Sequence, residues 1–314
     1  MSDQLEVLTT FPVAMLARVS ETLPFVRITQ IPADAAPSEQ VRGEVLLIPP
    51  WDPGHLAQAL ERGVRWVHTI GTGVDRVPLE LIGDRLLTCS RGASGIPIAE
   101  WVLAVMLAFA KRLPEVFLED EPAEWSSDSL GGLYGARLGL VGLGGIGEAV
   151  ARHALSFGMR VRAFRRSGAP SPVEGVEIVK SLPDLLGDAD HVVLALPLTA
   201  QTRNLIDAEA LATIAPEAGI HLVNVSRGAL IDQDALRGAL DDGRIARASL
   251  DVTTPEPLPA GHWLYSHPRT RISNHVSWNM PGAFELLLDK FIENLRRYRA
   301  GEALAAQVDT EAGY

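Results

Sequence analysis

Short apolar runs alternate with helical stretches along most of the chain. A first series of strand-like runs is predicted at Val7–Thr9, Val26–Ile31, Val45–Ile48, Trp66–Ile70 and Leu86–Cys89. A second series begins near Arg137 and is predicted at Leu138–Val141, Arg160–Phe164, His191–Ala195, Ile220–Val225 and Arg247–Asp251. Most runs of the second series are almost continuously apolar, as expected of strands buried on both faces. The alternation predicts an α/β protein built on parallel sheets with helices on both faces.

A long helical pattern, Ile96–Arg112, separates the two series of strands. The polar, acidic stretch Glu119–Gly132 that follows it is predicted to be a loop. At the other end of the chain, Pro281–Ala300 carries apolar residues at helical spacing and predicts a final helix. A chain of 314 residues is long enough for two domains, and we place the boundary near residue 97.

Charge and composition exclude several classes of function. The 39 acidic and 28 basic residues give a net charge of −11, which disfavours nucleic acids and anionic membranes as partners. The longest apolar run, Trp101–Ala110, is about half the length of a membrane span, and the first residues lack the features of a secretory signal. The lone Cys89 cannot form an internal disulfide. These features predict a cytoplasmic protein.

A glycine-rich turn follows the strand predicted at Leu138–Val141. Gly142, Gly144 and Gly147 have the spacing G-x-G-x-x-G, and the helical pattern Glu148–Phe157 comes next. In this strand–turn–helix context the motif predicts a site for the pyrophosphate of a dinucleotide, which the helix N-terminus would attract with its partial positive charge. The alternative is a turn that only reverses the chain.

The residues after the second strand of this unit determine which dinucleotide fits. NAD sites normally place an acid there, to accept hydrogen bonds from the ribose 2′-hydroxyl. Here Arg165 stands 18 residues after Gly147 and is followed by Arg166 and Ser167. Two guanidinium groups and a hydroxyl suit a 2′-phosphate, so NADP(H) is predicted to be preferred, with NAD(H) still possible. A solvated strand edge is the alternative reading of the arginine pair.

Three polar residues follow apolar segments further along the chain, where open α/β sheets bind ligands. Arg227 can bind a carboxylate, Glu256 lies between two prolines, and His275 ends an apolar segment. Reduction of a 2-oxo acid requires a cation for the substrate carboxylate and a proton donor for the nascent alkoxide, and a carboxylate next to the histidine favours the imidazolium form. We therefore predict a hydride-transfer site.

The other histidines give no sign of a metal site. No Cys/His cluster has zinc spacing, so no metal is predicted. Five histidines are interpreted as surface or helix-capping residues: His153, His191, His221, His262 and His267.

The order and spacing of these motifs are similar to those of a known family. The motifs are Gly71–Asp75, Ala99-Glu100, Gly142–Gly147, Leu196–Thr199 with Thr202, Asn224–Asp232, Asp251–Pro259, His275 and Glu293–Tyr298. Glu256 follows Arg227 by 29 residues, and His275 follows Glu256 by 19. With these motifs the chain resembles the D-isomer-specific 2-hydroxyacid dehydrogenases, which include glyoxylate/hydroxypyruvate reductases, over nearly its whole length.

The resemblance implies two Rossmann-like or flavodoxin-like α/β domains with the active site in the cleft between them. Residues 1–97 and 283–314 would form a discontinuous substrate domain, and residues 98–282 would form the dinucleotide-binding domain. The resemblance also implies a homodimer, built through the dinucleotide-binding domain by the long helix after residue 97 and the loop beyond it.

The resemblance further implies roles for individual residues. Arg227 would bind the substrate, His275 would act as acid and base, and Glu256 would orient His275. Backbone amides at Thr72, Gly73 and Val74 would receive the substrate carboxylate. Asp251 and the backbone at Val225 would hold the nicotinamide carboxamide, and Pro197 would lie near the adenosine. The complete cofactor set is Gly142, Gly144, Gly145, Ile146, Gly147, Arg165, Arg166, Ser167, Leu196, Pro197, Thr202, Val225, Ser226 and Asp251.

The chain departs from the family pattern at three places. Arg165 replaces the usual acid. Ser277-Trp278-Asn279 follows the histidine, where small residues are usual, and Pro49-Pro50-Trp51 lies near the expected substrate loop. Trp51 and Trp278 are therefore predicted to line the substrate pocket. For Trp51, packing between the domains is an equally weighted alternative.

These observations predict an NADPH-preferring reductase that converts a small 2-oxo acid of the glyoxylate or hydroxypyruvate type to the D-2-hydroxy acid. The alternative from another class is a dinucleotide-sensing binding protein similar to the transcriptional corepressors that resemble this family. Formate oxidation is discounted, because that branch carries Gln at the position of Glu256.

Overall fold

The structure is a computed structural model that describes residues 4–121, 125 and 129–314. Residues 122–124 and 126–128 of the predicted loop Glu119–Gly132 lie outside the described residues. The chain forms two compact units. One contains the residues up to Ser94 together with Met280–Tyr314, and the other contains Gly95–Asn279. The chain passes from the first unit to the second after Ser94 and returns to the first after Asn279. Both positions lie three residues before the domain boundaries predicted from the sequence.

The first unit is built on a five-stranded parallel sheet. Its strands are β1 (Leu5–Thr9), β2 (Val26–Gln30), β3 (Val45–Ile48), β4 (Trp66–Thr69) and β5 (Leu86–Cys89), in the order β2-β1-β3-β4-β5. A 3₁₀ turn at Val13–Leu16 and the short helices α1 (Ala17–Thr22), α2 (Leu56–Leu60) and α3 (Leu79–Ile82) connect the strands. Every residue of β3 and β4 is buried, including the polar His68 and Thr69 of β4, as expected of central strands of a parallel sheet.

The second unit is built on a seven-stranded parallel sheet. Its strands are β6 (Arg137–Val141), β7 (Arg160–Phe164), β8 (Val176–Val179), β9 (His191–Leu194), β10 (Ile220–Asn224), β11 (Ile245–Leu250) and β12 (Thr270–Ile272). Their order is β12-β11-β10-β9-β6-β7-β8. The order reverses between β6 and β9, and such a switch point is where open α/β sheets bind ligands.

Helices cover both faces of the second sheet. They are α4 (Gly95–Ala110), α5 (Gly145–Ser156), α6 (Leu182–Leu186), α7 (Ala208–Ala212), α8 (Gln233–Asp241) and α9 (Trp263–Ser266), with a 3₁₀ turn at Gly228–Leu230. Val193 and Val223 point into one apolar cluster with α4 and α5, whereas Val192 and Leu222 point into another with α6, α7 and α8. The predicted α/β class with parallel sheets is confirmed.

The last helix, α10 (Ala283–Ala300), belongs to the first unit. Its apolar side packs on β4, with the rings of Phe291 and Tyr298 5.6 and 5.2 Å from that of Trp66. Ser90 Oγ also donates a hydrogen bond to the carbonyl of Leu287. The helix ends at Gly301, which has φ +71°, a left-handed conformation that glycine adopts without strain. The C-terminal segment thus completes the fold of the first unit.

The structure differs from the sequence-based elements at a few ends and edges. Strands β8 and β12 are missing from the prediction, and both are edge strands of the second sheet. Strand β11 begins at Ile245 rather than Arg247, and α5 begins at Gly145 rather than Glu148. Within the described residues, none of the helices is both long and apolar enough to cross a bilayer.

Candidate active site

Most of the candidate residues lie at one edge of the second sheet. Because its strands are parallel, the segments that follow their carboxyl ends share that edge. The glycine-rich turn follows β6, Arg165 follows β7, Leu196 follows β9, Arg227 follows β10, Asp251 follows β11 and His275 follows β12. The second unit therefore gathers the predicted cofactor residues and the Arg227–Glu256–His275 set.

The glycine-rich turn requires its glycines for different reasons. Gly142 has φ +99°, and a Cβ at this position would overlap the carbonyl oxygen of Ala195. A Cβ at Gly147 would overlap the carbonyl oxygen of Gly142. At Gly144, by contrast, a Cβ would have no atom within 4 Å and would stand in open space. Two glycines thus allow close packing of the turn, and the third keeps the front of the turn free.

The beginning of α5 is available to an anion. The helix has Gly144 as its N-cap, and no side chain caps its first turn. The first backbone amides of a helix have no intrahelical acceptor, so the amides of Gly145, Ile146 and Gly147 point outward with the positive end of the helix dipole. A pyrophosphate fits this position in charge and in hydrogen bonding. The turn therefore fits a dinucleotide.

The segment after β7 is positively charged and held in a tight turn. Arg165 is half-buried, and its Nη1 donates to the carbonyl oxygen of Pro170 at 3.3 Å. The amide of Gly168 donates to the carbonyl of Arg165, and Ser167 Oγ accepts from the amide of Ala169 at 3.3 Å. Arg166 and Ser167 are exposed. Two guanidinium groups and one hydroxyl therefore lie at the end of the strand next to the glycine-rich turn.

Hydroxyl groups fix the loop that follows β9. Thr202 Oγ1 donates to the carbonyl of Pro197 at 2.8 Å and accepts from the amide of Thr199 at 2.7 Å. Ser226 Oγ donates to the carbonyl of Leu196. Val225, next to Ser226, is buried. In this structure the side chains of Thr202 and Ser226 therefore shape the loop that carries Leu196 and Pro197.

Arg227 is held by its neighbours in a tight turn after β10. The buried side chain of Asn224 donates through Nδ2 to the carbonyl of Arg227 at 2.9 Å and accepts from the amide of Ser226 at 3.0 Å. The next residue, Gly228, packs so closely on Thr253 that a Cβ would overlap the Thr253 backbone. This contact places the Arg227 turn directly against the segment that leads to Glu256.

Glu256 links that segment to His275. Its Oε1 accepts from the amide of Thr253 at 3.1 Å, and its Oε2 lies 3.2 Å from Nδ1 of His275. Because an ionised carboxylate can only accept, Nδ1 carries the proton of this hydrogen bond. The described residues provide no hydrogen-bond partner for Nε2 of His275. The histidine is 41% exposed, so Nε2 is free to exchange a proton with a ligand.

Asp251 organises the loop that carries His275. This aspartate is 1% exposed, and its carboxylate accepts hydrogen bonds from Ser273 Oγ at 2.6 Å and from the amides of Val276 and Ser277 at 2.9 and 3.0 Å. Its backbone carbonyl accepts from the amide of His275 at 2.8 Å. The carboxylate predicted to hold the nicotinamide carboxamide is thus occupied largely by the histidine loop.

His275 has a left-handed backbone conformation, with φ +53°. For a residue with a Cβ this conformation costs about 1 kcal/mol or more, and it persists where the surroundings impose it. Trp278 contributes to this restraint, because its Nε1 donates to the carbonyl of His275 at 3.0 Å. The indole ring packs against the apolar cluster beneath the sheet, and its place in the substrate pocket stays a prediction.

Two further candidate segments belong to the first unit. Thr72, Gly73 and Val74 follow β4, and in the described part of the chain no acceptor is found for their backbone amides. Consecutive free amides of this kind form an anion-binding concavity. Pro50 packs on Gly71, where a Cβ would be 3.0 Å from the proline ring, and the next residue, Trp51, is 52% exposed. The Trp51 loop therefore lies beside the 72–74 segment.

The structure corrects the interpretation of two histidines. His191 and His221 are buried at 3% and 0% exposure in neighbouring strands, and their Nδ1 atoms are 3.2 Å apart. Burial lowers the pKa of His191 to about 4 and also lowers the pKa of His221, which further hydrogen-bonds Ser249 Oγ at 2.9 Å. They are neutral core residues. His262 does cap a helix, since its Nδ1 accepts from the amide of Leu264.

The sequence analysis missed several residues that shape the site. Asn224, Ser273 and Ser277 make side-chain or backbone hydrogen bonds that fix the Arg227 turn and the His275 loop. For Asn224 the sequence offers two signals: its position at the end of an apolar strand and its place in the motif Asn224–Asp232. Among the residues that the structure describes, no group of three or more His, Cys, Asp or Glu side chains is arranged to hold a metal ion.

Comparison with known families gives one match over more than half of the chain. Residues 103–277 match the family described as D-isomer specific 2-hydroxyacid dehydrogenase, NAD binding domain. The match spans the glycine-rich turn, Arg227, Glu256 and His275.

Similar proteins and structures carry related names. The glyoxylate/hydroxypyruvate reductase A of Serratia proteamaculans is 30% identical over 276 residues, which cover 84% of this chain and 86% of that protein. The glyoxylate reductase of Thermococcus kodakarensis is 36% identical over 224 residues, 68% of this chain and 66% of that protein. A D-isomer specific 2-hydroxyacid dehydrogenase from Xanthobacter autotrophicus Py2, solved with NADPH and MES, has a TM-score of 0.84 at 28% identity and covers 99% of this chain and 100% of that one.

Proposed function

The chain belongs to the D-isomer-specific 2-hydroxyacid dehydrogenases and is an NAD(P)-dependent oxidoreductase, and on that premise we propose that it reduces small 2-oxo acids to D-2-hydroxy acids with NADPH. The substrate class we propose is that of glyoxylate and hydroxypyruvate. The names of the relatives from Serratia proteamaculans and Thermococcus kodakarensis support this class.

One observation carries the proposal. The Glu256 carboxylate lies 3.2 Å from Nδ1 of His275, while Nε2 of the same ring is free of partners within the described residues. By accepting from Nδ1, Glu256 orients the imidazole so that Nε2 is available to exchange a proton with a bound substrate. This arrangement suits a general acid for reduction and, in the reverse direction, a general base.

The neighbouring residues complete the chemistry. The Arg227 guanidinium binds the carboxylate of the 2-oxo acid and polarises its carbonyl group. His275 donates the Nε2 proton to the carbonyl oxygen as that oxygen becomes an alkoxide, and Glu256 stabilises the imidazolium until the transfer. The bound reduced nicotinamide supplies the hydride. In the first unit, the free amides of Thr72, Gly73 and Val74 provide a concavity that suits a carboxylate.

We propose NADPH as the preferred cofactor because of the segment after β7. Gly142, Gly144 and Gly147 give the turn the shape for a pyrophosphate, and Arg165, Arg166 and Ser167 offer charge-assisted hydrogen bonds to a 2′-phosphate. No carboxylate is present there to bind a ribose 2′-hydroxyl. The relative from Xanthobacter autotrophicus, which was solved with NADPH, supports the same preference.

We also propose that the protein works as a homodimer in the cytoplasm. Between α4 and β6 the described residues include exposed apolar side chains, with Phe117 69%, Leu118 62% and Tyr134 89% exposed. A second copy that covers these side chains would bury them. The free, buried Cys89 is compatible with a reducing compartment. Sedimentation analysis tests the dimer: a monomer at micromolar concentration would contradict it.

Turnover of a panel of 2-oxo acids tests the proposed activity. Oxidation of NADPH is followed at 340 nm with glyoxylate, hydroxypyruvate and phenylpyruvate, in parallel with NADH. The products of hydroxypyruvate and phenylpyruvate are resolved by chiral chromatography, since glycolate is achiral. We expect reduction to the D product, faster with NADPH, and its loss in His275→Gln. A protein that binds NADPH tightly but turns over none of the acids would contradict the proposal and favour a dinucleotide-sensing binding protein.

A further inference from the structure

The geometry points to Trp278 as a positioning residue for His275. We propose that the indole N–H of Trp278 holds the backbone of His275 in the conformation that aims its imidazole at Glu256. The inference rests on the proposed function for its catalytic meaning, since His275 is the proposed proton donor. It assigns to Trp278 a role apart from any contact with substrate.

Both backbone polar groups of His275 have a fixed partner. Its amide donates to the carbonyl of Asp251 at 2.8 Å, and its carbonyl accepts from Trp278 Nε1 at 3.0 Å. The amide partner is anchored, because the Asp251 carboxylate also binds the amides of Val276 and Ser277. The carbonyl, in contrast, depends on one side chain alone among the described residues. Replacement of Trp278 therefore removes the hydrogen bond to the His275 carbonyl and leaves the hydrogen bond from the His275 amide to Asp251 in place.

The left-handed backbone of His275 makes this support necessary. At φ +53° the residue is in a conformation that a residue with a Cβ avoids unless its surroundings impose it. Relaxation to an ordinary conformation would turn the Cα–Cβ bond and move the ring away from the Glu256 carboxylate, which lies 3.2 Å from Nδ1. A donor that fixes the His275 carbonyl opposes that relaxation.

The indole can supply such a donor because it is itself held in place. Trp278 is half-buried and packs against the apolar cluster that includes Val223 and Val225, below the carboxyl end of β10. A packed tryptophan has only two side-chain torsions to fix and one N–H to direct. Packing against the core of the second unit thus fixes the direction of the indole N–H, and the hydrogen bond from this N–H fixes the backbone carbonyl of His275.

Two replacements remove the donor and leave an aromatic side chain at this position. Trp278→Phe removes the N–H and part of the ring, and replacement of Trp278 by 3-benzothienylalanine exchanges the N–H for sulfur at nearly unchanged size. With hydroxypyruvate and NADPH we expect kcat to fall about tenfold to a hundredfold, because a general acid displaced by a fraction of an ångström transfers its proton poorly. The Kd for NADPH should stay within about twofold of the wild-type value. If Trp278→Phe fails to fold, the sulfur analogue supplies the test.

Trp263→Phe is the matched control. Trp263 lies in the same unit, is half-buried against the other apolar cluster, and its indole makes no hydrogen bond within the described residues. We expect this variant to keep the wild-type kcat and pH profile. A wild-type kcat and pH profile in the sulfur analogue would overturn the inference.

A readout without turnover separates this inference from the proposed function. The Nδ1–H proton of His275 is observed by NMR in the full-length protein, with its signal assigned from His275→Gln. Loss of the Trp278 donor should weaken the hydrogen bond to Glu256 and move this signal upfield, whether or not any 2-oxo acid is a substrate. An unchanged signal would overturn the positioning role. An inactive wild-type protein whose Trp278 variant shows the shifted signal would contradict the proposed activity alone.

Discussion

At the scale of single residues, the site depends on a hydrogen-bonded carboxylate and imidazole in the second unit. Glu256 is fixed from one side by the amide of Thr253 and from the other by the imidazole of His275. The Glu256 side chain is 20% exposed, so its charge is only partly screened by water at the point where it faces Nδ1. The pair thus links a fixed negative charge to the proton that the proposed reaction consumes.

Glu256→Gln tests the role of that charge. The amide has nearly the same shape but no charge, so its hydrogen bond to Nδ1 is weaker and orients the imidazole less firmly. We expect kcat for hydroxypyruvate with NADPH to fall about tenfold or more, while the Kd for NADPH stays at its wild-type value. The measurements are steady-state kcat and NADPH titration at one pH. A wild-type kcat in Glu256→Gln would contradict the role of Glu256.

Arg165→Asp tests the cofactor preference. An aspartate at this position can accept hydrogen bonds from a ribose 2′-hydroxyl and repels a 2′-phosphate. Each charge-assisted hydrogen bond is worth about 1.5–3 kcal/mol, so the ratio of kcat/KM for NADPH to that for NADH should fall about tenfold or more. Steady-state rates with both cofactors give this ratio. The proposed preference is wrong if the ratio stays at its wild-type value.

At the scale of elements, the parallel strands decide which residues meet. The fold class and ten of the twelve strands found in the described residues follow from the alternation of apolar runs, because strands buried on both faces have a strong sequence signal. Strands β8 and β12 escape the prediction. Each is an edge strand of three or four residues with exposed positions, such as Glu177 and Arg271. Because an edge strand is partly exposed, its sequence includes polar residues and does not form a continuous apolar run.

The hydrogen bonds around the site are less accessible to sequence reasoning. Gly228 is required because the backbone of Thr253, on the neighbouring strand end, occupies the space of a Cβ. Asp251 binds Val276 and Ser277, which are about 25 residues away in the chain. Such contacts depend on sheet order and register, which local patterns do not specify. The motifs therefore predict the identity of the candidate site residues, whereas the order and register of the strands determine the hydrogen bonds that position them.

The glycine-rich turn gives a prediction at this scale. A methyl group at Gly144 has open space, and its φ of −101° suits alanine, so Gly144→Ala should keep the stability of the protein. The methyl would stand in front of the helix N-terminus and weaken NADPH binding about tenfold or more. Gly147→Ala should instead destabilise folding by about 2 kcal/mol, because its Cβ overlaps the backbone of Gly142.

Thermal unfolding and NADPH titration separate the two variants. The Tm of Gly144→Ala should match that of the wild type, whereas the Tm of Gly147→Ala should be several degrees lower. Wild-type NADPH affinity in Gly144→Ala would show that the dinucleotide does not approach this turn.

At the scale of the whole molecule, buried histidines make stability depend on pH. His68 is fully buried in the first unit between Thr88 Oγ1 at 2.7 Å and Ser90 Oγ at 3.1 Å, and burial lowers its pKa to about 3. In the second unit burial lowers the pKa of His191 to about 4 and that of His221 as well. Each unit therefore contains imidazoles that stay neutral in the fold and take up protons on unfolding.

The sign of the effect follows from these pKa directions. Above the unfolded pKa of about 6.5 the stability is complete, and it is lost as the pH falls, because the unfolded chain binds protons that the folded protein does not. Between pH 6.5 and pH 5.5 His68 alone should lower the free energy of unfolding by about 1 kcal/mol. Urea unfolding of the wild type and of His68→Gln across this range measures the difference.

The free energy of unfolding of His68→Gln at pH 8 measures the packing lost in this variant. The packing loss is the same at every pH, so the change in the free energy of unfolding between pH 6.5 and pH 5.5 reflects only protonation of the histidine. If wild type and variant lose the same free energy between pH 6.5 and pH 5.5, His68 is not held neutral by burial.

The central claim is that a guanidinium, a carboxylate and an imidazole at one sheet edge together catalyse the reduction of a 2-oxo acid by NADPH. Its most direct test is kcat/KM for hydroxypyruvate with NADPH in the wild type, in Arg227→Ala and in Arg237→Ala, an exposed arginine of α8 that serves as control. We expect the Arg227 variant to lose about a hundredfold or more, because the substrate carboxylate would be bound without its cation, and the Arg237 variant to match the wild type. Near-normal turnover in Arg227→Ala would contradict the account.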